Sequence, residues 1–166
     1  RHILQTLQTA VAQTGILHPV HVHCNNLGTP GNIGTLVETM ETAQGLPMHL
    51  AHVQFYGYGD DGNYGFSSGA ARMMEAFAKH PNITMDVGQV LFGQTVTLSG
   101  DVMAQYSRRD DASPSKWIVW HSENEGSGGI VPYQYKQGSF VNGLQWAIGL
   151  EIFLLSDDPW RLFFTT

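Results

Sequence analysis

The chain has 166 residues, 42% of them hydrophobic and 13% charged, with a formal charge of −6. That length makes one domain with a real core the default, and so few charges point to much surface being buried. The negative balance excludes an electrostatic nucleic-acid binder, the single cysteine excludes an internal disulfide, and no apolar run reaches membrane-spanning length.

Taken in order, Ile3, Leu4, Leu7, Ala10 and Val11 recur at helical spacing, with Gly15 as a stop. A strand is predicted at about 18–24, followed by turn chemistry at 27–32. A helix follows at about 34–44, with Leu36, Val37, Met40 and Ala43 as its apolar face, Asn32 as its cap and Gly45 as its end. Pro47 precedes a second strand at 48–55, and a glycine- and tyrosine-rich loop runs over 56–65.

A third helix is predicted from Ser67 or Ser68 to about Lys79, and a third strand at 83–88. The stretch 96–109 reads as partly helical with a cap at Ser99, and 110–114 as a polar linker. Short strands at 116–120 and 130–133 belong to an insertion at about 108–135. The helix at about 139–155 is apolar almost all round, which predicts burial. Asp157-Asp158-Pro159 ends it and leads to a last strand at about 161–166.

Strands alternating with helices predict a parallel sheet with right-handed crossovers, here half of a (β/α)8 barrel. The chain opens in mid-helix without an initiator methionine and closes in mid-strand, so both ends read as truncated.

The most unusual stretch is His18 to Asn26. A side-chain period of two puts His21 and His23 on one face of the first strand. One reading is a pair of histidines satisfied by hydrogen bonds in a polar core. The other is a metal or catalytic site at the carboxyl end of a parallel strand, where α/β folds place their chemistry. His52 stands near the end of the second strand as His23 does on the first, so the two rings can converge at one rim. Neutral imidazole is a good zinc ligand, although a zinc site needs three or four ligands.

His49, three residues before His52, falls on the opposite strand face and reads as structural. Asn25, Asn26 and Gln54 follow the histidines and are candidates for holding a polar substrate or orienting ligands, with turn formation as the alternative. Cys24 reads as packing, and Asp86 as either a rim group or a backbone partner. Gly57 to Gly62 matches the dinucleotide spacing GxGxxG, but no helix opens after it and Asp60 and Asp61 would repel a pyrophosphate.

The words HVHCNNLGTPGN, LPMHLAHVQFYGYG, FSSGAAR, DVGQVLFGQTVTLSGD and NGLQWAIGLEIFLLSDDPWRLFFTT resemble the A subunit of formylmethanofuran dehydrogenase and its bacterial counterpart in the formyltransferase/hydrolase complex. The resemblance implies a partial (β/α)8 TIM barrel of the metal-dependent amidohydrolase type, covering about strands 5 to 8, in one domain over 1–166. It implies a two-zinc site with His23 at the strand-five position and His52 at strand six. The strand-eight aspartate would lie just beyond Thr166, so no catalytic residue is expected within the chain. The strand-one histidine pair has no counterpart here, and none of Lys79, Lys116 or Lys136 stands where the bridging lysine should.

The implied reaction is hydrolysis, or reversible formation, of the N-formyl amide of formylmethanofuran or an analogue, giving formate. Such a carrier and the other members of a cytoplasmic complex would be the partners, with neither nucleic acid nor membrane. The alternatives are a cyclic-amide hydrolase of the hydantoinase or dihydroorotase kind and a non-catalytic structural subunit. The chain alone is expected to be inactive and to bind zinc weakly or not at all.

Overall fold

A computed structural model of the chain describes residues 2–88, 94–99, 129–134 and 140–165. The first half holds α1 (His2–Thr14), β1 (Val20–Val22), α2 (Ile33–Glu41), β2 (Met48–Leu50), β3 (Tyr58–Gly59), β4 (Ser67–Ser68), α3 (Ala70–Ala78) and β5 (Ile83–Gly88). The second half holds β6 (Gln94–Ser99), β7 (Gly129–Gln134), α4 (Phe140–Leu154) and β8 (Leu162–Thr165). Short 3-10 turns sit at Val53–Tyr56, Asn63–Gly65 and Pro159–Arg161.

The main sheet is parallel throughout, in the order β1-β2-β5-β8. Its register pairs His21 with His49 and His49 with Thr84, and further along pairs Asp86 with Phe163 and Gly88 with Thr165. The β-period of two then divides the side chains. Val22, Met48, Leu50, Ile83, Met85, Val87 and Leu162 join one apolar core with Leu36 and Met40 of α2, Met73 and Phe77 of α3, and Ile148 and Ile152 of α4. His21, His23, His49, Thr84, Asp86, Phe163 and Thr165 alternate with these and occupy the other face.

The parallel α/β architecture follows the sequence reading, and several details depart from it. On α1 the buried position is Gln8, while Ile3 and Leu7 are exposed. The helix packs against β1, with Gln8 buried and Leu4 half-buried against the core. Asn32 precedes α2 but makes no side-chain cap bond. Its amide instead donates to the carbonyls of Asn26 (3.0 Å) and Phe55 (2.8 Å), and its oxygen accepts from the Tyr58 N–H at 2.9 Å.

The second strand stops at Leu50 rather than running to Phe55, because His52 takes a left-handed backbone and a 3-10 turn follows. Residues 96–99, expected to begin a helix with a cap at Ser99, belong to β6, which pairs antiparallel with β7. The strand expected at 130–133 is present as β7; the rest of 108–135 and the expected strand at 116–120 lie outside the described residues. Finally, α4 buries Val141, Ile148 and Ile152 but exposes Leu150 and Leu154, because nothing among the described residues covers its outer side.

Candidate active site

The histidine face gathers a polar cluster at the carboxyl ends of β1, β2, β5 and β8. The His23 and His52 ring centroids are 5.3 Å apart. His21 lies 5.1 Å from His23 along the same strand and 5.1 Å from His49 across the sheet. The convergence expected of His23 and His52 is thus present.

Asp86 is the hub. Its side chain is 2% exposed and sits between both histidines of the second βα unit. Oδ2 lies 2.9 Å from His49 Nε2, and Oδ1 lies 3.0 Å from His52 Nδ1. Oδ1 also accepts from the His52 backbone N–H at 2.8 Å and from the Thr165 hydroxyl at 2.9 Å. Burial is the largest single influence on Asp86 and pushes its pKa up. The hydrogen bonds from His52, His49 and Thr165 together outweigh it and hold the carboxyl well below the usual carboxylate range.

His49 is the correction to the sequence reading. A spacing of three residues predicts opposite faces only while the strand continues. Here it ends at Leu50, and His52 at φ 51° turns its ring back to the side His49 already occupies. His49 has no free nitrogen: Nδ1 lies 2.8 Å from Thr84 Oγ1, and Nε2 is engaged by Asp86. Its structural role stands; its face does not.

His23 is exposed at the rim, and its ring has no hydrogen-bond partner among the described residues. Burial, then the neighbouring His52 and His21, lower its pKa, which favours the neutral ring. Neutral imidazole is the form that binds zinc.

The other candidates divide. Asn25 is exposed beside His23. Asn26, at φ 64°, donates from Nδ2 to Thr35 Oγ1 at 3.1 Å and supports the loop after β1. Gln54 is fully buried: Nε2 donates to the Gly88 carbonyl, and Oε1 accepts from the Gly88 N–H at 3.1 Å. It clamps the end of β5. Burial pushes the Cys24 thiol up to about 12, against a smaller effect from a hydrogen bond with Thr39. Such a thiol is inert. Glycines 57–62 lie before and within short strand and turn structure, and α3 begins only at Ala70, so they open no helix.

Among the described residues no group of three or more His, Cys, Asp or Glu side chains is arranged to hold a metal ion. His23 and His52 fit two places of a zinc donor set by their chemistry, and further ligands have to come from elsewhere. Among those residues no helix is long and apolar enough to cross a membrane.

No protein-family model matches the chain. It is 50% identical to the A subunit of the formyltransferase/hydrolase complex of Methylorubrum extorquens, with all of this chain aligned to 31% of that protein. It is 34% identical to FwdA of Methanocaldococcus jannaschii over 93% of this chain and 29% of that one. The chain is homologous to these two proteins. Its fold superimposes with a TM-score of 0.78 on a crystal structure of the Methylorubrum extorquens FhcABCD complex with methylofuran, at 48% identity over 99% of this chain and 30% of that one. The chain thus spans about three-tenths of the length of the relatives it matches.

Proposed function

We propose that this chain is the second half of an amidohydrolase-type barrel, and that His23 and His52 are two ligands of a zinc site that hydrolyses, or reversibly forms, an N-formyl amide on a methylofuran- or methanofuran-type carrier. The observation that carries the reading is the pairing of the two rings, 5.3 Å apart at the ends of adjacent parallel strands, with His52 held by a buried carboxylate. The strand order supports a barrel over a doubly wound sheet. It runs β1-β2-β5-β8 without reversal, so crossovers of one hand lay every helix on one face and leave the histidine face to the interior.

Zinc bound there supplies Lewis acidity for the formyl carbonyl and lowers the pKa of a water. The chain's own groups do the holding. His23 presents a neutral ring at the rim, Asp86 orients His52, and Gln54 fixes the strand end behind it. Exposed Asn25 is positioned to contact the polar part of a carrier. The whole protein would work as one member of a cytoplasmic complex in one-carbon metabolism.

The test uses the full-length protein in its complex, assayed for formate release from the formylated carrier. His52→Ala is expected to lower the rate by about 10³-fold, the equivalent of the several kcal/mol that a Lewis acid contributes. An unchanged rate contradicts the reading. Ring opening of cyclic amides, with no formate released from the formylated carrier, would favour the hydantoinase-like alternative.

A further inference from the structure

The structure assigns Asp86 the role of a positioning residue that fixes the tautomer of His52, leaving its Nε2 lone pair as the one available to a metal. The inference rests on the zinc reading above and goes beyond it, because Asp86 touches neither metal nor substrate there.

The argument is donor counting. A backbone N–H can only donate, and the His52 N–H is 2.8 Å from Asp86 Oδ1. That oxygen is therefore an acceptor, and it also takes the Thr165 hydroxyl at 2.9 Å. The ring Nδ1 is 3.0 Å from the same oxygen and 3.4 Å from the Thr165 hydroxyl, whose own proton goes to Oδ1, so an unprotonated Nδ1 would set its lone pair against two accepting oxygens. His52 is thus protonated at Nδ1, and in the neutral ring Nε2 holds the lone pair.

The second oxygen does the same for His49. Its Nε2 donates to Oδ2, which leaves Nδ1 to accept from the Thr84 hydroxyl. One carboxylate thereby sets two histidines to opposite tautomers. It uses up both nitrogens of His49 and leaves one nitrogen of His52 without a partner among the described residues. This makes one ring a support and the other a ligand. The His52 side chain is 40% exposed where His49 is 17% exposed, so the ring with that nitrogen is also the more accessible one. Carboxylates that orient metal-binding imidazoles in this way act through the ring and not on the metal.

Two measurements on the full-length protein test this. In metal-free protein selectively 15N-labelled at histidine, two-bond proton–nitrogen correlations report which ring nitrogen carries the proton. The expected result is Nδ1–H for His52 and Nε2–H for His49; the Nε2–H tautomer at His52 overturns the inference whether or not any variant folds. Asp86→Asn and Asp86→Leu are then titrated with zinc against a chromophoric chelator. Affinity is expected to fall about 10- to 100-fold while Thr84→Val, which loosens only His49, stays near wild type. Wild-type affinity in both Asp86 variants overturns the inference and leaves the zinc reading intact. Zinc binding by wild type that His52→Ala does not weaken overturns both.

Discussion

His52 sits beyond its strand at φ 51° and ψ 45°, a backbone state that costs a residue with a side chain about 1 kcal/mol or more. The surroundings enforce it. Asp86 takes both its backbone N–H and its ring, and Gly88 leaves room for the imidazole: a Cβ on Gly88 would come within 2.6 Å of His52 Nδ1. Gly88→Ala is therefore expected to cost about 1–3 kcal/mol of stability by overpacking, and to displace the ring, so that thermal melting and zinc content fall together. A variant with wild-type zinc content would show that the ring position is not critical. The depressed pKa of Asp86 gives a pH dependence of known sign. The folded value lies below the unfolded value of about 3.9, so the carboxylate's contribution is complete above that pH and is lost as pH falls toward the folded value. Asp86→Asn should flatten the loss of stability below about pH 4 in acid-unfolding curves; an unchanged acid limb would place that loss elsewhere.

At the scale of elements, two rim loops are knitted together by one buried amide. Asn32 bonds the carbonyls of Asn26 and Phe55 and the N–H of Tyr58, and the Gly28 N–H adds a bond to the Phe55 carbonyl at 3.0 Å. Asn32→Ala removes three hydrogen bonds to the backbone, of which the Asn26 and Phe55 carbonyls keep others from Thr29 and Gly28, and should lower stability by about 1–3 kcal/mol, read as a drop in melting temperature. A neutral result would mean that water replaces the side chain. The same elements show what was legible in advance. The main strands and helices could be read because β-branched and apolar residues recur at the right periods, and His23 with His52 because each marks a strand end in an alternating α/β order. Asn32 could not, because its partners are up to 26 residues away and its position before a helix favours a cap. The β3–β4 pair could not, because glycine and serine carry no strand signal. His49 was misplaced by an extrapolation of the strand period across a residue that breaks it.

At the scale of the molecule, β1 and β8 are the edge strands of the sheet among the described residues, and large exposed apolar side chains stand in or next to both in sequence. Leu7 of α1 and Ile16 and Leu17 precede β1, Trp160 lies in the turn before β8, and Phe163 and Phe164 belong to β8 itself. Open parallel edges with apolar flanks recruit other chains. Expressed alone, these 166 residues are expected to form concentration-dependent oligomers in light scattering and to release no formate from the formylated carrier. A monodisperse monomer would argue that the flanks are not interfaces. Between the two edges, the histidine face carries the polar cluster while the helix face is packed.

The most direct measurement is anomalous diffraction at the zinc absorption edge from crystals of the full-length protein. A peak about 2.0–2.1 Å from a nitrogen of both His23 and His52, on the Nε2 side of the latter, is the expected result. A map with no peak there, or with zinc held only by other residues, would contradict the account.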